Sequence, residues 1–156
     1  MTTPTIILAS DHAGFELKEA VKKFLQEKGY EIDDVGAQTL IPDDDYPEYM
    51  IKAAMKVAQN AQNGSAQTKA IIFGKSGQGE AMVANRFPGV RAAVYYGGNE
   101  EIIKLSREHN DANVLSIGAG FVSEDEAKKT VEMWLETPFS GDERHRRRIE
   151  QMDSIE

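Results

Sequence analysis

The 156-residue sequence has no cysteine, which excludes disulfide bridges and thiolate chemistry. The absence of cysteine is compatible with a reducing compartment but does not require one. It is also short of positive charge: 18 Lys and Arg residues stand against 26 Asp and Glu residues, and the formal net charge is -8. Because phosphate backbones are bound by clustered positive charge, this balance disfavours a nucleic-acid partner. The N-terminal segment has no basic leader, and its apolar run is too short for a membrane span or a signal peptide. We therefore expect a cytoplasmic protein that binds neither nucleic acid nor membranes.

Strand-like and helix-like patterns alternate along the chain. Short apolar or β-branched runs predict five strands, near residues 5–9, 30–35, 70–73, 90–96 and 114–117. Amphipathic patterns predict helices between them, the second over residues 49–62 and the fifth capped by Ser123 and stopped by Pro138. This alternation is typical of an α/β fold: a three-layer αβα sandwich with a Rossmann-like, five-stranded, mostly parallel sheet. The length suits a single domain over residues 1–156, which ends in a basic helix at about residues 141–154.

We place the active site in the stretch KAIIFGKSGQGEAMVANR, residues 69–86. An apolar run that predicts a buried strand breaks at Gly74 into a turn with three glycines in six positions, and a helical pattern follows. Bare glycines let a ligand approach the backbone, and the free amides at a helix start attract anions. Glu80 lies at this helix start, where a carboxylate can also serve merely to complement the helix dipole. The nucleotide P-loop pattern fails, because Lys69 stands where it needs a glycine. The dinucleotide-binding pattern is matched only weakly, because Met82 stands where it needs its third glycine.

Two further polar clusters flank predicted strands. Asp11 and His12 follow the first strand, and a cluster that begins with His109 and Asn110 precedes the fifth. Open parallel sheets bind ligands at the carboxyl ends of their strands. We therefore expect both clusters to join the glycine-rich turn at that edge of the sheet. A run of five basic residues at positions 144–148 of this acidic protein is ordinarily a solvated helix face.

Five motifs occur in order along the chain: ASDHAGFELK, DYPEY, GKSGQGE, HNDANVLSIG and ERHRRRI. Together they resemble the RpiB/LacAB family of sugar-phosphate isomerases nearly from end to end. The resemblance implies aldose–ketose isomerisation of a phosphorylated sugar, typically ribose 5-phosphate to ribulose 5-phosphate, and it implies no metal and no other cofactor. It also implies a homodimer or homotetramer whose active sites lie between subunits.

The chemistry of such a reaction explains which residue types it needs. A carbon-bound proton must leave C2 and return at C1, and one carboxylate can do both transfers if burial raises its pKa toward neutrality. Fixed donors, here the loop amides and the Ser76 hydroxyl, stabilise the enediolate between the two steps, at about 3–4 kcal/mol per donor. Sugar phosphates rest as closed rings, so a separate acid–base group must open them, and a histidine titrates near the right pH.

The resemblance assigns these roles to particular residues. Glu80 matches the family branch that uses a glutamate as the base, whereas the other branch uses a cysteine at the position of Gly74. His109 would open the ring, and Ser76 would join the loop in binding the enediolate. The remaining substrate contacts would come from Asp11, His12, Tyr46, Lys75, Gly77, Gln78, Gly79, Asn110, Arg144 and Arg148.

Two positions depart from the family pattern. Lys75 stands where the family usually has glycine, and Gly120 stands where it usually has a phosphate-binding arginine. The substrate therefore stays open between ribose 5-phosphate, another sugar such as an unphosphorylated pentose, and a six-carbon sugar phosphate. A non-catalytic sugar-phosphate-binding module on the same fold is the alternative from another class. Glu80 separates the two classes, because a binding module has no need of a carboxylate that repels its anionic ligand.

Overall fold

The computed structural model describes residues 4–64 and 68–155, and strands and helices alternate in it as the sequence predicts. The connector expected at residues 64–68 lies mostly outside the described residues. None of the described helices is long and apolar enough to cross a membrane. The elements are, in chain order, β1 Thr5–Ser10, α1 Phe15–Glu27, β2 Glu31–Asp34, α2 Tyr46–Gln62, β3 Lys69–Gly74, α3 Gln78–Ala84, β4 Ala92–Tyr95, α4 Glu101–Glu108, β5 Val114–Gly118, α5 Glu124–Glu136 and α6 Glu143–Asp153.

The strands form one sheet in the order β2-β1-β3-β5-β4, and every neighbouring pair is parallel. The sequence predicted a mostly parallel sheet, and the described strands make it wholly parallel. β1 has β2 on one side and β3 on the other, so the chain changes its direction of travel across the sheet at this point. Ligands of open α/β sheets bind beside such a reversal, at the carboxyl ends of the strands. We call the turns after β1, β3 and β5 the carboxyl edge, and the segments that lead into β3, β4 and β5 the amino edge.

Helices cover both faces of the sheet and complete the three-layer αβα sandwich. Side chains alternate along β1: Ile6 and Leu8 pack into a core with α1 and α5, whereas Ile7 and Ala9 pack into a core with α2. Trp134 of α5 is fully buried in the first of these cores. Because β3 is covered on both faces, its apolar run is continuous rather than alternating, as the sequence indicated for a central strand.

The structure corrects several predicted element boundaries. α2 begins at Tyr46 rather than at residue 49, because Pro47 fits the first turn of a helix, where a missing amide costs no hydrogen bond. β4 begins at residue 92 rather than 90 and ends at residue 95 rather than 96. The cap of α5 is confirmed, since Ser123 Oγ accepts a hydrogen bond from the Glu126 amide at 3.1 Å, and the helix ends before Pro138. α6 lies within the predicted C-terminal helix.

Candidate active site

Glu80 lies in the first turn of α3, and its side chain folds back onto Gly74 at the end of β3. A Cβ atom on residue 74 would overlap the Glu80 carboxyl group, so the carboxylate can occupy this place only because residue 74 is glycine. Only 4% of Glu80 is exposed, and its Oε1 is buried without a hydrogen-bond partner in the described part of the chain. A buried oxygen in this state calls for a partner that the chain itself does not provide, and a substrate is one.

Burial raises the pKa of the Glu80 carboxyl group, and the nearby negative charge of Asp11 raises it further. The backbone amides of Gly77 and of Glu80 itself act in the opposite direction and lower it. The balance is a raised pKa, which a carboxylate needs if it is to take a carbon-bound proton and return it near neutral pH. The end of β3 thus holds a group with the properties of a general base.

The glycine-rich turn after β3 is held between β5 and α2. Gly77 has a left-handed φ of 78°, and its carbonyl accepts a hydrogen bond from Ser116 Oγ of β5 at 2.7 Å. A Cβ on Gly79 would lie 2.5 Å from Tyr46 Oη, so only glycine fits against this tyrosine at the start of α2. Ser76 Oγ accepts a hydrogen bond from the amide two residues later, at 3.3 Å. These contacts hold the loop backbone in one position before any ligand arrives.

The turn after β1 carries a second polar group. Asp11 Oδ1 accepts hydrogen bonds from the amides of Ala13 and Gly14, at 3.0 and 3.2 Å, so the carboxylate shapes the turn that leads into α1. His12 Nδ1 and the His12 amide both contact Asp44 Oδ1, at 2.7 and 2.9 Å. The hydrogen bond to Asp44 is the main cause of a raised pKa at His12. Asp44 was not predicted as a site residue, because a run of three aspartates beside prolines is typical of an ordinary loop.

Asp11, His12 and Asp44 are also the described side chains that could hold a metal ion, since they offer ligand atoms within 4.8 Å of one another. The short contact between His12 Nδ1 and Asp44 Oδ1 already engages two of these atoms with each other. We therefore interpret the cluster as a hydrogen-bonded support for His12 rather than as a set of free ligands.

Lys75 and Gly120, the two positions that depart from the family pattern, are neighbours in space. A Cβ on Gly120 would lie 3.1 Å from Lys75 Cγ, and the Gly120 amide donates a hydrogen bond to the Lys75 carbonyl at 2.9 Å. The exposed lysine therefore runs along the bare backbone of residue 120. The carboxyl edge brings together the following predicted site residues: Asp11, His12, Tyr46, Lys75, Ser76, Gly77, Gln78, Gly79 and Glu80.

The other predicted site residues lie at the opposite, amino edge. α4 runs back from the carboxyl edge, so His109 and Asn110 lie in the turn that leads into β5. Within one chain the prediction that they join the glycine-rich turn is wrong, because residues that precede a parallel strand lie at its amino end. β5 pairs with β3 from Ala70 to Gly74, so about 13 Å of extended strand separates the two edges. One chain alone does not bring Glu80 and His109 together.

Arg144 and Arg148 are exposed on α6, which also packs at the amino edge. The far end of α6 is tied down by an ion pair between Asp153 and Arg91, with Nη1 and Oδ2 at 2.9 Å, and Arg91 leads directly into β4. Arg147 pairs with Glu143 of the same helix at 2.8 Å. The two arginines assigned to the phosphate therefore stand on the same side of the molecule as His109.

A histidine that the sequence did not single out lies against His109. The rings of His109 and His145 are stacked, with centroids 4.1 Å apart and planes inclined by 17°. His145 is only 5% exposed, and burial is the main cause of its lowered pKa, with His109 and Arg144 acting in the same direction. In the sequence it is one member of a basic run, and its burial follows only from how α6 packs against the end of α4.

Known proteins that are similar to this chain show which family it belongs to. The family model described as Ribose/Galactose Isomerase matches residues 6–152. Ribose-5-phosphate isomerase B of Mycobacterium tuberculosis is 38% identical over 96% of this chain and 88% of its own length, and that of Escherichia coli K12 is 36% identical over 97% and 95%. The solved structure of ribose-5-phosphate isomerase B from Mycoplasma genitalium with bound ribulose-5-phosphate superposes with a TM-score of 0.89 at 33% identity, over 98% of this chain and 96% of the other. The chain therefore belongs to the ribose/galactose isomerase family, RpiB/LacAB.

Proposed function

We propose that this chain is an aldose–ketose isomerase that interconverts ribose 5-phosphate and ribulose 5-phosphate. The observation that carries the proposal is the buried carboxylate of Glu80, which has a raised pKa and lies on Gly74 beside a fixed glycine-rich turn. Relatives that cover nearly the whole chain are named for this reaction, and one solved relative holds ribulose-5-phosphate. A cytoplasmic location, among other enzymes that act on sugar phosphates, is part of the same proposal.

In the proposed reaction Glu80 removes the proton from C2 of the open-chain aldose, and the electron pair forms the C1–C2 double bond of an enediolate. The loop amides and the Ser76 hydroxyl stabilise the negative charge on its oxygen, at about 3–4 kcal/mol per donor. The hydroxyl proton passes from O2 to O1, and Glu80 returns its proton to C1. The product is the ketose, and Glu80 is again a carboxylate. Asp11 and His12 flank the sugar on the β1 side, and Tyr46, Gln78 and the glycines bound it on the other.

We further propose that each site is completed by a second copy of the chain, which supplies His109 and Asn110 for ring opening and Arg144 and Arg148 for the phosphate. A five-carbon sugar has only four carbon–carbon bonds of about 1.5 Å, so it cannot reach from one edge of the sheet to the other. A two-fold dimer joins the carboxyl edge of each chain to the amino edge of its partner and so makes two equal sites. The open side of β4 offers a contact surface, since Met82 of α3 is 63% exposed.

Lys75 is proposed as the phosphate or hydroxyl contact from the carboxyl edge. Gly120 has no side chain, and the aliphatic part of the Lys75 side chain occupies the space beside it. The ammonium group of Lys75 therefore adds a positive charge near the glycine-rich turn. A lysine is a point charge rather than a two-pronged donor, so we expect it to attract the anion without fixing its orientation. Orientation is then left to Arg144 and Arg148.

The activity is tested by assaying the purified protein against a panel of aldose and ketose phosphates and their unphosphorylated forms. We expect ribose 5-phosphate and ribulose 5-phosphate to interconvert fastest. Equal turnover of the unphosphorylated pentose would contradict the phosphate assignment, and faster turnover of a six-carbon phosphate would change the substrate. Binding of the phosphates without any isomerisation would make the chain a binding module instead.

The shared site is tested by pairing two defective chains. One carries Glu80→Gln and the other carries Arg144→Ala with Arg148→Ala, and mixed dimers are purified after co-expression through two different tags. If each site draws on both chains, one of the two sites in a mixed dimer has every proposed group intact, and about half of the parental activity should return. If all the groups act within one chain, every site keeps a lesion, and at a substrate concentration near the unmodified protein's KM the mixed dimer is no more active than the better of the two defective proteins.

A further inference from the structure

The stacked pair of His109 and His145 joins two helices that are far apart in the sequence. His109 follows the last residue of α4 and is half-buried, whereas His145 lies in the first turn of α6 and is almost fully buried. Their ring planes are nearly parallel and their centroids are 4.1 Å apart, which is contact distance for stacked rings. A hydrogen bond from the Ser140 amide to the Glu108 carbonyl, 3.1 Å long, fastens the two segments beside the rings.

The imidazole of His109 needs such a support. Rotation of a histidine ring about its last side-chain bond has a broad energy minimum, so a ring at the end of a helix does not hold one plane unless something packs against it. A group that gives a proton to a sugar ring oxygen must be aligned with that oxygen, and a displacement of about 1 Å can cost as much as a hundredfold in rate. The flat face of His145 restricts the plane of His109.

The two rings lie in different surroundings. His145 faces His109 from α4, Arg144 and Arg148 from its own helix, and Asp142 just before that helix. Burial lowers the pKa of His145, and His109 and the two arginines lower it further, whereas Asp142 raises it. His145 is almost fully buried, whereas His109 is half-buried and keeps an exposed part that a substrate can contact.

We infer that His145 is a positioning residue for His109: its buried ring holds the His109 imidazole in the plane from which it opens the sugar ring. The inference rests on the proposed function. It adds that the helix that presents Arg144 and Arg148 to the phosphate also sets the plane of the ring-opening group, because His145 lies on the same turn of α6 as Arg144.

The test compares two replacements that both fill the buried site. His145→Phe keeps a flat ring against His109, and His145→Leu fills the space with a branched, non-planar side chain. With ribose 5-phosphate we expect kcat of the Leu variant to fall about tenfold while KM changes less than about twofold, and the Phe variant to retain at least about half of the parental kcat. Arg146→Ala, an exposed change on the same helix, serves as the control and should match the parent.

A second substrate separates positioning from a general loss of structure. A four-carbon aldose phosphate is too short to close through its phosphorylated terminal carbon, so it needs no ring opening, and we expect both variants to turn it over as the parent does. Thermal unfolding of each variant is measured alongside. If phenylalanine proves too large for the buried site, glutamine provides a planar group of closer size and the same comparison is made with it.

Three results would overturn the inference alone. The Leu variant could have the parental kcat on ribose 5-phosphate, or the planar and Leu variants could lose kcat equally. The Leu variant could also lose as much kcat on the four-carbon substrate as on ribose 5-phosphate. A parent protein that isomerises neither sugar overturns the proposed function and this inference with it. The two failures are therefore distinguishable, since only the second is visible without any substitution at position 145.

Discussion

The two edges of the sheet differ in how firmly they hold their functional groups. At the carboxyl edge Glu80 is buried against Gly74, and the glycine-rich turn is fixed by Ser116 on one side and packed against Tyr46 on the other. At the amino edge the arginines of α6 are exposed and His109 is half-buried, with the buried ring of His145 stacked against it. The groups proposed for proton transfer are thus organised within one chain before substrate binds, whereas those proposed for the phosphate become part of a site only through assembly. This difference predicts that substitutions of Glu80 and of the α6 arginines change different kinetic constants.

The largest effect is expected from Glu80→Gln, which tests whether the chemical step belongs to the carboxyl edge. The amide keeps the shape of the carboxylate but cannot accept a proton, so kcat should fall by about 10²–10⁴ while KM stays close to the parental value. Exchange of the substrate C2 proton with solvent, followed by NMR, should stop. Glu136→Gln, an exposed change on α5, is the control. Exchange at the parental rate in the Glu80 variant would move the base to another residue.

Gly74→Ala should also lower activity at the carboxyl edge, by displacing the Glu80 carboxyl group rather than by removing its charge. The added methyl group overlaps the Glu80 carboxyl group, which must move, and we expect kcat to fall about a hundredfold. The double variant Gly74→Ala, Glu80→Gln should be no slower than Glu80→Gln alone, because both changes remove the same group from the same place. Additive losses in the double variant would show that Gly74 acts in some other way.

Substitutions of the two arginines proposed for the phosphate should act on binding instead. Arg144→Ala and Arg148→Ala should each raise KM for the sugar phosphate by about tenfold or more, or roughly 1.4 kcal/mol, with a smaller change in kcat. The two residues are four apart and share one face of α6, whereas Arg146 lies off that face, and Arg146→Ala should be nearly silent. Steady-state kinetics on all three variants check this. Parental KM values throughout would leave the basic run as a solvated helix face.

The smallest expected effect is on stability, and it belongs to the carboxyl edge alone. Burial raises the pKa of Glu80 above its value in the unfolded chain, so ionisation of this group destabilises the folded state as the pH rises through the unfolded pKa and then the folded one. Glu80→Gln should therefore raise Tm by about 2–4 °C at pH 8 and leave it unchanged at pH 4. Arg144→Ala should show no increase in Tm that becomes larger as the pH rises. A Tm difference that is the same at both pH values would mean that charge is not its cause.

The sequence could predict the element order and the parallel sheet because each buried strand is a short apolar run between turns. It also predicted that the polar residues directly after β1 and β3 lie at the carboxyl edge, whereas Tyr46 at the start of α2 came only from the family resemblance. The prediction for His109 is wrong within one chain because the binding rule for parallel sheets applies to residues that follow a strand, and His109 precedes β5. Ser116 and His145 could not be predicted in their roles, because a serine inside an apolar strand and a histidine inside a basic run acquire these roles only through tertiary contacts.

Residues 74 and 80 are six apart in the sequence, yet a side chain on residue 74 would occupy the place that the Glu80 carboxyl group fills. The family resemblance gives one branch a cysteine at the first position, and this chain has a glutamate at the second. Under the proposed function, a reacting group carried by either residue would therefore lie at the same place in the fold, provided that the other residue has no side chain there. On this proposal, the reacting group of a relative is identified by the side chain that fills the space beside residue 74, and not by any one position in a sequence alignment.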